Sequence, residues 1–132
     1  MNILIIDDHP LIRFGLETAL GRLLTGAAIT AAASASEALA ALNRPPRPDV
    51  VLLDLRLPTL ADGVTLLRQI RTVASSTPVL IVSGDESASL VPLVRSEGAS
   101  GFVSKSEGAD RLVAAIQQIL AAPKTFYPKN RS

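Results

Sequence analysis

The sequence contains no cysteine and no tryptophan, and only 3% of its residues are aromatic. The lack of cysteine excludes disulfides, thiolate zinc sites, iron–sulfur clusters and cysteine nucleophiles. A single histidine, His9, excludes a metal centre built from several histidines. No uninterrupted apolar run is longer than five residues, so none is long enough to span a bilayer, and no membrane partner is expected. The two aspartates reached by position 8 do not fit a signal peptide, and we expect a cytoplasmic protein.

An excess of charge is also lacking, since 13 basic and 12 acidic residues give a formal net charge of +1. Residues 1–122 carry ten basic and twelve acidic groups, whereas the acid-free last ten residues carry three basic groups. This balance argues against nucleic-acid binding by the chain itself. The 48% hydrophobic content of 132 residues is enough for one core. We therefore predict one domain over 1–122, and a C-terminal tail or the start of an interdomain linker over 123–132.

Short continuous apolar runs predict the strands. The clearest are Ile3–Ile6, Val50–Leu53 and Val79–Val82, each of which ends abruptly at a polar residue. Runs of this kind, rich in β-branched residues, are typical of strands buried on both faces of a sheet. Ala28–Ala33 is a weaker, alanine-rich candidate, and Gly101–Ser104 is a short last strand.

Helical periodicity follows each predicted strand. After Pro10, one apolar helix face is formed by Ile12, Leu16, Ala19, Leu20 and Leu23. The further predicted helices are a short one through Leu42 opened by a capping box at Ser34–Glu37, Gly63–Val73, a segment within Glu86–Glu97 that starts or kinks at Pro92, and Ala109–Ala122. This alternation predicts an α/β fold, with a parallel sheet covered by helices on both faces.

Polar residues end the strands at one edge of this predicted sheet, where ligands of open parallel sheets bind. Asp7 and Asp8 follow the first strand, and Asp54 follows the third. Three converging carboxylates repel one another, so we expect a hard cation bound by oxygen, such as Mg²⁺. Lys105 after the fifth strand and the hydroxyl of Ser83 after the fourth would complete a site for phosphoryl transfer to or from a carboxylate. The lone histidine beside the first aspartates is interpreted as a loop or first-turn residue.

These motifs together resemble the receiver domain of bacterial two-component response regulators over residues 1–122. The segments that carry the resemblance are Asp7-Asp8, Asp54–Pro58, Ser83-Gly84 and Gly101–Lys105. Asp8–Leu16 and Lys105-Ser106 further resemble the LuxR/NarL-type subfamily, whose members usually carry a C-terminal helix-turn-helix. The resemblance implies a doubly wound, flavodoxin-like fold with five helices and a five-stranded parallel sheet of order 2-1-3-4-5.

The resemblance also implies a role for each matching residue of the site. Asp54 would accept a phosphoryl group from a sensor histidine kinase. Asp8 and Asp54 would bind Mg²⁺ directly, Asp7 would bind it through water, and the backbone carbonyl of Arg56 would be a further ligand. Lys105 would pair with the phosphoryl group.

Signalling would follow from a switch formed by Ser83 and Phe102, in which the hydroxyl moves to the phosphoryl group and the aromatic ring moves inward. DNA would be bound only through a domain outside this chain, and transcription would be the controlled process.

Because Pro92 interrupts the fourth helix, a homodimer would use the first and fifth helices. We also predict that Arg56 and Asp85 form an ion pair across the site, a gate that slows the hydrolysis of phosphorylated Asp54.

Two alternatives to a transcription-linked receiver stay open. The chain could act as a stand-alone receiver through protein–protein contacts. It could also be a small Mg²⁺-dependent phosphatase with an aspartyl-phosphate intermediate, an enzyme class whose nucleophile stands in an Asp-x-Asp pattern after the first strand. Asp7-Asp8-His9 lacks that pattern, so the sequence favours a signalling domain over an enzyme.

Overall fold

Five parallel strands form one sheet, in the order β2-β1-β3-β4-β5, in the computed structural model, which describes residues 1–84 and 89–128. The strands are β1 (Asn2–Ile6), β2 (Ala28–Ala32), β3 (Val50–Leu53), β4 (Val79–Ser83) and β5 (Gly101–Ser104). Every residue of β3 and β4, and every residue of β1 after Asn2, is buried. The predicted strand order and the two-sided burial of the three apolar runs are confirmed.

Five α-helices lie within the described residues and cover both faces of the sheet. They are α1 (Pro10–Leu23), α2 (Ala35–Leu42), α3 (Leu60–Val73), α4 (Val91–Ser96) and α5 (Ala109–Ala121). One hydrophobic core lies between the sheet and α2, α3 and α4, and a second lies between the sheet and α1 and α5. No helix in this part of the chain has the length and apolar character that crossing a membrane would require.

Two helix starts test the sequence-based boundaries. Helix α3 begins at Leu60, three residues before the predicted start at Gly63, because Thr59 caps it: the Thr59 hydroxyl oxygen accepts from the Asp62 N–H at 3.2 Å. Helix α4 begins at Val91, so Pro92 stands in the first turn, where no intrahelical hydrogen bond is lost. The predicted start near Pro92 is confirmed.

The apolar face predicted for α1 is only partly buried. Leu20 is fully buried, but Ile12 is 39% and Leu23 is 47% exposed, so the predicted apolar face is not buried at these two residues. Ile12 lines a groove between α1 and α5, with Leu16 from α1 and Leu112 from α5 on its walls. The two helices share one face of the sheet, and this groove separates them near the carboxyl ends of β4 and β5.

The chain beyond α5 packs against β5. Phe126 and Tyr127 are both buried, the first in the α2/α3/α4 core and the second in the α1/α5 core. The Tyr127 N–H donates to the Ser100 carbonyl, and the Phe102 N–H donates to the Tyr127 carbonyl, both at 2.9 Å. A Cβ at Gly101 would stand 3.0 Å from Tyr127, so a glycine allows this close approach. Packed structure therefore continues past residue 122, where the predicted domain was expected to end.

Candidate functional site

The carboxyl ends of β1 and β3 bring two buried aspartates together. Asp7 follows β1 and its N–H donates to the Ala32 carbonyl at 3.1 Å, while Asp54 follows β3 and its N–H donates to the Ile6 carbonyl at 2.9 Å. These bonds continue the sheet by one residue, so both backbones are fixed. Asp7 and Asp54 are buried, whereas Asp8 is partly exposed beside them. The predicted convergence of the three acids is confirmed.

Lys105 supplies the positive charge that these acids face. Its Nζ lies 3.2 Å from Asp7 Oδ2 and 3.2 Å from Asp54 Oδ2. Lys105 opens a short 3₁₀ helix after β5, which a capping box holds: the Ser104 hydroxyl accepts from the Ser106 N–H, and the Ser104 N–H donates to Glu107 Oε1 at 2.9 Å. The fold thus places the ammonium between the two buried carboxylates.

His9 also contacts the acids, which the sequence analysis did not predict. Its Nδ1 lies 3.0 Å from Asp7 Oδ1, 3.1 Å from Asp8 Oδ1 and 3.7 Å from Asp54 Oδ2. The His9 N–H donates to Asp7 Oδ1 at 2.9 Å, and helix α1 begins at the next residue, Pro10. The interpretation of His9 as a loop or first-turn residue is correct for its backbone, but it did not predict the contacts between its ring and the acids. The position of His9 directly after two candidate metal ligands, in a short loop, was the sequence feature that could have predicted these contacts.

Burial has the largest effect on the pKa of Asp54, ahead of the neighbouring charges. Burial raises the pKa of Asp54 above its ordinary value of 3.8, and the charge of Asp7 raises it further; Lys105 and the Arg56 N–H act in the opposite direction and do not offset this. For Lys105, burial alone lowers the pKa, but Asp54 and Asp7 together raise it above its ordinary value. Lys105 therefore stays charged, and one ammonium beside three carboxylates leaves formal negative charge at the site, which favours binding of a cation.

The donor atoms suit a divalent cation. Asp7, Asp8, His9 and Asp54 each offer one ligand atom, and these atoms all lie within 4.8 Å of one another. Asp8 Oδ1 is buried and has no hydrogen-bond partner among the described residues, although His9 Nδ1 is near it. An unpaired buried carboxylate oxygen is costly unless an ion contacts it. The residues present therefore fit the expected Mg²⁺ site.

The other predicted site residues lie around this cluster. Arg56 has an exposed side chain, and its N–H donates to Asp54 Oδ1 at 3.2 Å. Ser83 ends β4, is buried, and stands opposite Ser104 in the β4/β5 register. Phe102 is buried in the α2/α3/α4 core. Asp85, the predicted partner of Arg56, lies outside the described residues, so the gate stays a prediction.

A comparison with protein-family models identifies the family of this chain. The family model of the response regulator receiver domain matches residues 3–117. The chain belongs to this family. Its sheet order and its α/β layers are those expected of a receiver domain.

Similar individual proteins support the assignment of this chain to the receiver-domain family. Fimbriae Z protein of Salmonella typhimurium is 31% identical over 127 residues, and transcriptional activator protein ExaE of Pseudomonas putida is 35% identical over 121 residues. These matches cover 96% and 92% of this chain but only 59% and 56% of the relatives, so the chain spans little more than half of their length.

Solved structures extend the similarity to the fold. A LuxR-family two-component response regulator from an Aurantimonas species has a TM-score of 0.81 at 35% identity, covering 91% of this chain and 84% of its own. The receiver domain of NtrX from Brucella abortus has a TM-score of 0.82 at 31% identity, covering 91% and 98%. The resemblance to LuxR/NarL-type receiver domains is confirmed.

Proposed function

We propose that this receiver domain accepts a phosphoryl group on Asp54 from a sensor histidine kinase in the cytoplasm. The observation that carries the proposal is the buried Asp54 carboxylate, whose Oδ2 lies 3.2 Å from Lys105 Nζ and whose Oδ1 accepts the Arg56 N–H. In the transfer, the bond from phosphorus to the kinase histidine nitrogen breaks as the bond to an Asp54 carboxylate oxygen forms. Lys105 then holds a phosphoryl oxygen by its charge.

In this proposal Asp8 and Asp54 would bind Mg²⁺ directly, Asp7 would bind it through water, and the Arg56 carbonyl would be a further ligand. When bound, the ion offsets the negative charge of the phosphoryl oxygens. Ser83 and Phe102 act as the switch, and the hydrogen bond from the Phe102 N–H to the Tyr127 carbonyl connects β5 to the segment after α5.

Asp8→Ala is expected to abolish Mg²⁺-dependent phosphorylation by acetyl phosphate while the protein stays folded. The removed Oδ1 is buried without a hydrogen-bond partner among the described residues, so its loss also removes charge repulsion, and we expect an equal or higher melting temperature. Phosphoryl incorporation and thermal melting measure the two effects. Asp110→Ala, at an exposed position on α5, is the matched control and should keep full incorporation. A melting temperature several degrees lower for Asp8→Ala would show a structural role instead.

The output of this receiver domain is proposed to be control of transcription through a helix-turn-helix domain outside this chain. The names of relatives support this, since they include transcriptional activator protein ExaE and the DNA-binding transcriptional activator EvgA of Escherichia coli. Action as a stand-alone receiver through protein contacts is the alternative. We propose signalling rather than enzymatic turnover of phosphate esters, because Asp7-Asp8-His9 lacks the Asp-x-Asp pattern of the phosphatases that use an aspartyl-phosphate intermediate.

We propose that a homodimer forms through α1 and α5. The groove between these helices is apolar, has a volume of about 280 Å³, and lies beside exposed side chains of α1: Leu11 is 85% and Phe14 is 68% exposed. Phe14→Glu is therefore expected to weaken self-association of the phosphorylated protein at least about tenfold, because a dimer would bury the introduced charge. Analytical ultracentrifugation measures the effect.

The control for the dimer experiment is Leu93→Glu on α4, where the leucine is 37% exposed on a different face. Its self-association should match that of the wild type. Arg13 is unsuitable as a surface probe, because its guanidinium donates to the Asp7 carbonyl at 2.8 Å and a change there would disturb the site. A dimer that Leu93→Glu disrupts and Phe14→Glu leaves intact would place the interface on the α4 face.

The proposed Arg56/Asp85 gate predicts the lifetime of the phosphorylated state. Arg56→Ala and Asp85→Ala should each shorten the half-life of phosphorylated Asp54, because hydrolysis needs a water in line with the phosphorus and an ion pair across the site would hinder its approach. The half-life is measured after removal of the phosphodonor. The double variant should decay no faster than either single variant. Unchanged half-lives in all three would contradict the gate.

A further inference from the structure

We propose that His9 is a metal ligand, and that its ring nitrogen makes the site of this receiver domain bind borderline transition-metal ions such as Co²⁺ and Zn²⁺ in addition to Mg²⁺. The inference rests on the metal site of the proposed function and adds a ligand to it. Its basis is the position of His9 Nδ1 among the carboxylate oxygens of Asp7, Asp8 and Asp54.

The distances between these atoms are those of ligands that share one ion. Ligand atoms at ~2.1 Å from a metal lie about 3.0 Å apart in octahedral and about 3.4 Å apart in tetrahedral coordination. His9 Nδ1 lies 3.0 Å from Asp7 Oδ1, 3.1 Å from Asp8 Oδ1 and 3.7 Å from Asp54 Oδ2. One ion can therefore contact the nitrogen and the oxygens of Asp8 and Asp54 with small adjustments of the side chains, while Asp7 is reached through water.

Lys105 and His9 contact different carboxylate oxygens of the cluster. Lys105 Nζ contacts Asp7 Oδ2 and Asp54 Oδ2, whereas His9 Nδ1 faces Asp7 Oδ1 and Asp8 Oδ1. The contact with Asp8 Oδ1 at 3.1 Å is not a hydrogen bond, whereas Nδ1 lies at hydrogen-bond distance, 3.0 Å, from Asp7 Oδ1. An ion that takes the place of the proton on His9 Nδ1 would also contact Asp8 Oδ1, which has no hydrogen-bond partner among the described residues. A ligating Nδ1 must be unprotonated, so the ring proton moves to Nε2; the side chain is 61% exposed, and water can accept that hydrogen bond.

The backbone directs the ring toward the acids. The His9 N–H donates to Asp7 Oδ1, and Pro10 fixes the start of α1 at the next residue. Imidazole nitrogen is a favoured ligand of Co²⁺, Ni²⁺, Cu²⁺ and Zn²⁺, whereas Mg²⁺ prefers oxygen. A site with one nitrogen and three carboxylates therefore gains affinity for transition-metal ions, while its oxygens keep Mg²⁺ binding.

The test compares Co²⁺ and Mg²⁺ binding to the wild type and to His9→Asn at one fixed pH. The substitution removes the nitrogen ligand, so Co²⁺ affinity should fall at least about tenfold, given that even outer-shell partners of a ligand change metal affinity about 10–100-fold. Mg²⁺ affinity should change less than about threefold. The visible absorption bands of bound Co²⁺ should shift, because nitrogen ligation alters them.

Each other outcome overturns the proposal. An equal Co²⁺ affinity in His9→Asn, with unshifted bands, would show that the ring is not a ligand. A tighter Mg²⁺ complex in His9→Asn would show that the ring excludes the ion. In both cases Mg²⁺ still binds and the proposed function stands, whereas a wild type that binds neither ion would remove the metal site itself. Asp110→Asn on α5 serves as the control and should bind both ions like the wild type.

Discussion

Asp54→Asn is expected to accept no phosphoryl group from acetyl phosphate or from a kinase, under conditions that phosphorylate the wild type. The amide cannot attack phosphorus as a carboxylate does, and no other acid of the cluster has the same position between Lys105 and the Arg56 N–H. Phosphoryl incorporation per chain measures the effect. Asp110→Asn, at an exposed position on α5 and outside the cluster, should incorporate as much as the wild type. Equal incorporation into Asp54→Asn and the wild type would contradict the assignment of the acceptor.

The same substitution is expected to stabilise the metal-free fold at neutral pH. Burial, and then the charge of Asp7, raise the pKa of folded Asp54 above 3.8, so the folded state binds the proton more tightly than the unfolded chain does. The free energy of unfolding therefore falls as the pH rises from about 3.8 through the folded pKa, and above it the ionised carboxylate destabilises the fold. The increase in the free energy of unfolding that Asp54→Asn gives over the wild type should be largest at pH values above the folded pKa, and it should disappear at pH values below about 3.8. Denaturant unfolding with EDTA at several pH values checks this.

Gly63→Ala is expected to lower the free energy of unfolding by more than about 4 kcal/mol, or to prevent folding. A Cβ at this position would lie 1.6 Å from the Leu55 carbonyl oxygen and 2.4 Å from its carbonyl carbon. These are backbone atoms of the residue after Asp54, so the clash could be relieved only by moving the loop between β3 and α3 or the start of α3. Denaturant unfolding followed by circular dichroism measures the loss.

Gly21→Ala is the matched control for Gly63→Ala. Gly21 is also helical, but its Cβ would meet nothing within 4 Å among the described residues. Alanine has the higher helix propensity, so this variant should gain about 0.5–1 kcal/mol. A Gly63→Ala variant that unfolds within about 1 kcal/mol of the wild type would show that the β3–α3 loop is deformable, contrary to the packing described above.

The parts of the fold that the sequence predicted well are those with a direct pattern. Strands β1, β3 and β4 are buried on both faces, so they must be apolar without interruption, and a continuous run shows this. Parallel strands end at one edge, and the acids that follow β1 and β3 therefore converge. Asp7, Asp54 and Lys105 could be placed together from these two facts and the resemblance to receiver domains.

Other features depend on tertiary contacts that no local pattern records. The spacing of apolar residues in α1 shows that a face exists, but not that Ile12 would line a groove instead of the sheet. The third helix was predicted to start at Gly63, whereas Gly63 lies inside α3 and packs closely against Leu55. The packing of Phe126 and Tyr127 is set by contacts between distant segments.

The most direct test of the central claim is to locate the phosphoryl group. The wild-type protein is incubated with Mg²⁺ and acetyl phosphate, and the intact mass and peptide masses are measured before and after hydroxylamine, which cleaves acyl phosphates. We predict the mass of one phosphoryl group, on the peptide that contains Asp54, removed by hydroxylamine. No added mass, or a hydroxylamine-resistant phosphoryl group on another residue such as Ser83, would contradict the account.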